Sequence, residues 1–125
     1  MNQVSEKIKP HVALFEAVHP VAATILQEHG FRVDSLKHSP SAQELVELAK
    51  SSTLIGVRSK TKITAQLLRD APALAAIGCF CIGTDQVDAS AAALGIPIFN
   101  APFSNTRSVA EMTLAEIICL SRALF

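Results

Sequence analysis

Three short stretches hold the side chains best suited to chemistry: "VRSKTK" (57–62), "CIGTDQVD" (81–88) and "NAPFSNTRS" (100–108). Arg58, Ser59, Ser104 and Asn105 supply hydrogen-bond donors and Arg107 adds charge, a set equipped to hold an anion. Taken singly, each is an ordinary surface residue, and only their convergence makes a site. Within "AIGCFCIGTDQVD" (76–88), Gly78 and Gly83 keep the glycine spacing of the phosphate-cradling loop G-x-x-x-x-G-K-[ST]. Thr84 and Asp85 stand where that loop needs lysine and a hydroxyl, so the charge partner of a nucleotide phosphate is missing and the P-loop is rejected. A dinucleotide fingerprint G-x-G-x-x-G occurs nowhere in the 125 residues. Cys79 and Cys81 alternate on one face of an apolar run, which reads as buried thiols. Zinc needs four ligands, and Cys119 lies far along the chain, so no metal site is expected. His11, His19, His29 and His38 show neither metal-ligand nor nucleophile spacing and read as turn and surface residues.

Short apolar runs alternating with helical patterns place these stretches on βαβ units with a parallel sheet. The spacing predicts strands at 11–18, 31–36, 53–58, 74–81 and 96–100. His19 and Pro20 open a first helix that Gly30 closes. Ser41 and Glu44 form a capping box for a helix over 41–50, and Thr64 caps a short one over 64–71. "ASAAAL" before Gly95 makes another. The run 74–81 is apolar at every position, as suits a central strand covered on both faces. Parallel strands bring their carboxyl ends to one edge, so the three polar stretches are expected there, joined by the N-terminus of the last helix. That helix is read as 108–125, with Val109, Met112, Thr113, Ile117, Leu120 and Leu124 on an apolar stripe and no stop signal.

Composition bounds the rest. The chain has 125 residues, half of them hydrophobic, and a formal net charge of zero. One domain is expected, and nothing in the charge balance points to nucleic acid or an anionic membrane. Three cysteines, an odd number, argue against a disulfide framework. No apolar run approaches the roughly 18–20 residues of a membrane span, and the N-terminal ten residues are polar. A cytoplasmic domain is the expectation.

"GVRSKTKIT", "AIGCFCIGTDQVD" and "GIPIFNAPFSNTRSVAE", taken together, resemble the D-isomer-specific 2-hydroxyacid dehydrogenase family, and in particular its bacterial branch acting on 3-phosphoglycerate. The likeness runs over essentially all of the chain and is close over 74–111. It implies a flavodoxin-like, doubly wound α/β domain that binds substrate. It also implies NAD-dependent oxidation of 3-phosphoglycerate to 3-phosphohydroxypyruvate, toward serine. On this resemblance Arg58 and Ser59, through side chain and backbone, hold the phosphate and carboxylate end of the substrate, Asn105 contacts it, and Lys37 falls near a substrate-contacting lysine. Gly83 keeps the loop after the fourth strand tight, while Ile82 and Val109 line the nicotinamide side of the cofactor. The family's catalytic arginine, glutamate and histidine, and its glycine-rich NAD loop, have no counterpart in this sequence. No catalytic residue is therefore assigned. Residues 1–107 are expected to be a substrate-binding domain and 108–125 the start of a helix leading to a nucleotide-binding domain. The chain then reads as an N-terminal part of such an enzyme, inactive alone and prone to self-association through its terminal helix. The alternative is a stand-alone, non-catalytic α/β module that binds anions or a partner.

Overall fold

All five apolar runs join one parallel sheet in the computed structural model, which describes residues 9–124. Strands β1 (His11–Leu14), β2 (Arg32–Ser35), β3 (Leu54–Val57), β4 (Ala76–Cys79) and β5 (Ile98–Asn100) lie in the order β2-β1-β3-β4-β5. That is the flavodoxin-like order, whose winding reverses between β1 and β3. Register is tight across the middle: Ala13 faces Ile55, and Ile55 faces Ile77.

The helices form where the local signals are. Helix α1 (Pro20–Glu28) begins at an N-cap, His19, whose side chain accepts from the N–H of Val21 at 3.2 Å. Helix α2 (Ala42–Ser51) carries the complete capping box: Ser41 Oγ accepts from the Glu44 N–H, and Glu44 Oε2 accepts from the Ser41 N–H. Thr64 caps α3 (Ala65–Asp70) by accepting from Leu67. Helices α4 (Ser90–Ala93) and α5 (Thr106–Ser121) complete the order.

Alternation along the strands sorts the side chains into two faces. Ala13, Phe15, Ile55, Val57, Ile77 and Cys79 meet α2, α3 and α4 in one core. The opposite face carries Val12, Leu14, Leu54, Gly56 and Gly78, and there α1 contributes Leu26 to the wall of an apolar groove of about 190 Å³. The expectation that β4 is covered on both faces is thus corrected: Ile77 and Cys79 are buried, whereas Ala76 and Gly78 are half-buried along the groove.

Two boundaries differ from the sequence reading. The first strand stops at Leu14 instead of reaching residue 18, because Glu16 and Ala17 both turn left-handed (φ 63° and 52°). The last helix spans Thr106–Ser121 and does not run unbroken from 108 to 125. Ala123 adopts φ 50°, its N–H donates to Leu120 O, and the N–H of Leu124 donates to Cys119 O. Those bonds make a Schellman stop without the usual glycine. The apolar residues of α5 are exposed, Val109, Met112, Ile117 and Leu120 each by more than half. Among the described residues, no helix is long and apolar enough to cross a membrane.

Candidate functional site

The polar cleft of this fold opens at the carboxyl edge of β1, β2 and β3, beside the point where the winding reverses. It encloses about 340 Å³. Its walls are the turn after β1 (Glu16, Ala17), the loop after β2 (Lys37, His38, Ser39) and the loop after β3 (Arg58, Ser59, Lys60). A neighbouring hollow, bounded by His19, Arg58 and Phe80, shares the Arg58 side chain with it. Three side chains expected to hold substrate, Lys37, Arg58 and Ser59, are therefore brought together, and Lys60 adds a further cation.

Glu16 organises the acidic side of this cleft. Its carboxylate accepts the N–H groups of Ser59, Lys60 and Thr61 at 3.0, 2.9 and 2.7 Å. Its carbonyl accepts from Arg58 Nη1 at 3.4 Å. Burial by itself would raise the pKa of this carboxyl, but the hydrogen bonds from Thr61 and the adjoining backbone outweigh it and hold the group below its ordinary 4.5. A carboxylate so depressed stabilises the folded loop at every pH above its ordinary value. That contribution is lost only as pH falls through the lowered one. The backbone N–H expected to serve a ligand at Ser59 is committed to Glu16, which leaves the hydroxyl as the donor that Glu16 does not engage.

The remaining expected residues sit elsewhere on the same edge. Ile82 and Gly83 belong to the loop after β4, and Ile82 is 46% exposed. A side chain at Gly83 would come within 2.8 Å of Asp85 Oδ1, the end of an exposed side chain that can turn aside. Asn105 is the N-cap of α5 and makes no side-chain cap bond, and Val109 follows one turn later, 53% exposed. Arg107 pairs with Glu111 at 2.7 Å along the helix. The loops after β3, β4 and β5 thus share one edge of the parallel sheet, while the polar cleft itself is walled by the segments after β1, β2 and β3.

Two residues of the site escaped the sequence reading. Glu16 was visible as a lone carboxylate inside the apolar run "VALFEAV" (12–18), and a buried charge demands partners. Gln86, 3% exposed, donates through Nε2 to Arg58 O at 2.7 Å and Gly83 O at 3.3 Å, tying the loop after β4 to the loop after β3. No local pattern in the sequence distinguished it.

The cysteines and histidines divide differently than expected. Cys79 is buried, and that burial pushes its thiol up to about 11. Cys81 lies past the end of β4, half-buried, with Sγ directed at the carbonyls of Gly83 and Arg58. With a thiol reagent in the native state, Cys79 is expected to remain unmodified while Cys81 and Cys119 react, since the thiolate is the nucleophile. Peptide mass mapping before and after unfolding decides it, and native labelling of Cys79 at the rate of Cys81 would count against its core placement. His38 lines the cleft. His11 is not a surface residue: it is 5% exposed, with Nε2 2.8 Å from Asp34 Oδ2 and Nδ1 3.2 Å from Ser52 Oγ. That trio has the residue types of a hydrolytic triad but not its access, because Ser52 is fully buried and its hydroxyl donates to Leu48 O at 2.6 Å. It opens β1, at the edge opposite the cleft.

Ile82, Gly83 and Val109 can offer an apolar edge to a nicotinamide ring. They do not fit a whole dinucleotide, whose diphosphate needs a glycine-rich turn at a helix N-terminus, and the sequence has none.

Known proteins agree with this architecture. Curated relatives include D-3-phosphoglycerate dehydrogenase of Haemophilus influenzae, 52% identical over 97% of this chain and 30% of that protein. D-3-phosphoglycerate dehydrogenase 1 of Saccharomyces cerevisiae is 50% identical over 90% of the chain and 24% of its own length. The chain thus spans less than a third of these relatives. Among solved structures, a protein from Pyrococcus horikoshii superposes with a TM-score of 0.76 at 29% identity, covering 93% of this chain and 34% of that one. The NAD+-bound 3-phosphoglycerate dehydrogenase of Entamoeba histolytica shares the fold at TM-score 0.74 and 22% identity, over 89% and 39%. A family profile described as "D-isomer specific 2-hydroxyacid dehydrogenase, catalytic domain" matches residues 12–121. With that match spanning nearly the whole described fold, the chain belongs to the D-isomer specific 2-hydroxyacid dehydrogenase family.

Proposed function

We propose that this chain is the substrate-binding part of an NAD-dependent D-3-phosphoglycerate dehydrogenase, acting in the cytoplasm in serine biosynthesis. Identity of about half to proteins of that name over nearly the whole chain supports the reading. The observation that carries it is the cleft, where Lys37, Arg58 and Lys60 surround a space of about 340 Å³. Three cations beside one already satisfied carboxylate suit a small dianion better than a neutral ligand. Arg58 presents a planar donor fork matched to phosphate or carboxylate oxygens, and the Ser59 hydroxyl adds a neutral donor. Asn105 approaches the ligand from the start of α5, and Ile82, Gly83 and Val109 face the nicotinamide. NAD supplies the hydride acceptor in the family's reaction. This chain's own part is to bind and orient the phospho-acid. In this reading residues 1–107 are the substrate domain and 108–125 lead toward a nucleotide-binding domain. The exposed apolar side of α5 then favours pairing with a second copy.

Arg58→Ala tests the clamp. A charge-assisted hydrogen bond contributes about 1.5–3 kcal/mol, so the variant is expected to bind 3-phosphoglycerate roughly 10- to 150-fold more weakly in an NMR titration. Equal affinity in variant and wild type would remove Arg58 from the site.

A further inference from the structure

We propose that Glu16 is the positioning residue of the cleft: through it, the loop bearing Lys37 and the loop bearing Arg58 are held at a set spacing. The proposal rests on the reading of the cleft as a phospho-acid site. It begins with the backbone. The N–H of Glu16 donates to His38 O and the N–H of Ala17 to Leu36 O, both at 3.1 Å, so the two bonds bracket Lys37. On the other side, the Glu16 carbonyl receives Arg58 Nη1, and the carboxylate gathers the three N–H groups of 59–61. Ser39 Oγ and Thr61 Oγ1, 2.9 Å apart, close the circuit between the same two loops.

This arrangement carries a conformational cost. Glu16 and Ala17 are both left-handed, at φ 63° and 52°, in a turn that contains no glycine. Such strain persists only where surrounding structure over-determines it, and it concentrates at functional sites. The residue as a whole is buried, 8% exposed.

Successive backbone N–H groups that converge on one point form an anion-binding concavity. Here that concavity is already filled by the protein's own carboxylate. An incoming phosphate is thereby excluded from the 59–61 amides and directed to side chains, namely Lys37, Arg58 and Lys60. Glu16 accordingly decides both where these cations stand and which donors remain for the ligand. The charged and titratable groups facing it are Lys37 and His38 from the loop after β2, and Arg58 and Lys60 from the loop after β3.

The test uses the isotopically labelled 125-residue chain with Glu16→Gln and Glu16→Asp, each titrated with 3-phosphoglycerate by NMR. Glu16→Gln keeps the shape but puts an amide donor where an acceptor faced the 59–61 N–H groups. It is expected to weaken binding by about tenfold or more. The amide signals of Ser59, Lys60 and Thr61, and of Lys37 and His38, should move, while those of Ile55 and Ile77 in the sheet stay in place. Glu16→Asp, charged but one methylene shorter, is expected to fall between wild type and Glu16→Gln. Wild-type affinity in Glu16→Gln overturns the proposal, and so does a loss of affinity in both variants that comes only with loss of the sheet signals. Arg58→Ala is the control for the underlying reading. If the wild-type chain binds no better than Arg58→Ala, the clamp reading falls. Positioning is then judged on the amide signals alone: displaced signals at Lys37 and His38 uphold it, and unmoved ones overturn it.

Discussion

Mixed with NAD and 3-phosphoglycerate, the 125-residue chain is expected to release no NADH. Hydride transfer requires the nicotinamide to be held in near-attack geometry against the C2 hydrogen, and positioning of that kind accounts for about 7–11 kcal/mol of barrier. Ile82, Gly83 and Val109 are exposed or half-open surface positions that can touch one ring but cannot hold a diphosphate. Of the four histidines, His38 lines the cleft and His19 the hollow beside it, but neither forms an ion pair with a carboxylate among the described residues, and the nearby Glu16 carboxylate is held by three backbone N–H groups. A general base needs both reach and a free lone pair. The measurement is absorbance of NADH with purified chain over hours. Steady production that Arg58→Ala abolishes would show that these residues turn the substrate over unaided.

Phe15→Ala is expected to remove about 3–5 kcal/mol of folding stability, the cost of deleting a fully buried aromatic side chain. Phe15 is the bulkiest of the wholly enclosed side chains, with no exposure, and its N–H donates to Gly56 O at 2.8 Å. It extends β1 into the core shared with α2, α3 and α4. A domain of this size has only about 5–15 kcal/mol of stability in total, so the loss is a large share of it. Chemical denaturation of wild type and variant measures it. A change below about 1 kcal/mol, the level of an ordinary surface substitution, would place Phe15 outside the core. Because Phe15 immediately precedes the Glu16 turn, the variant should also loosen the cleft.

Much of this was legible in the residues because the signals are local. Ser41 and Glu44, three positions apart, announce the cap they form. Thr64 does the same for α3, and the β-branched and apolar runs mark all five strands to within a few residues. Arg58 and Ser59 follow directly on the third of them, so their place at the carboxyl edge of a parallel sheet was fixed once the strand was recognised. Hydrogen bonds between residue i and residue i+3 or i+4, and alternation of period two, are properties of a short window of chain.

Tertiary structure decided the rest. Strand order is set by contacts between residues tens of positions apart, and no window of sequence states that β1 lies between β2 and β3. That order carries Lys37 to the same cleft as Arg58. The left-handed turns at Glu16, Ala17 and Ala123 had no glycine to announce them. They exist because hydrogen bonds formed only in the folded chain repay the steric cost of a Cβ at positive φ. Glu16 shows the difference most directly. In the sequence it interrupts an apolar run, and only the approach of residues 59–61, more than forty positions away, turns a costly buried charge into the group around which the cleft is arranged.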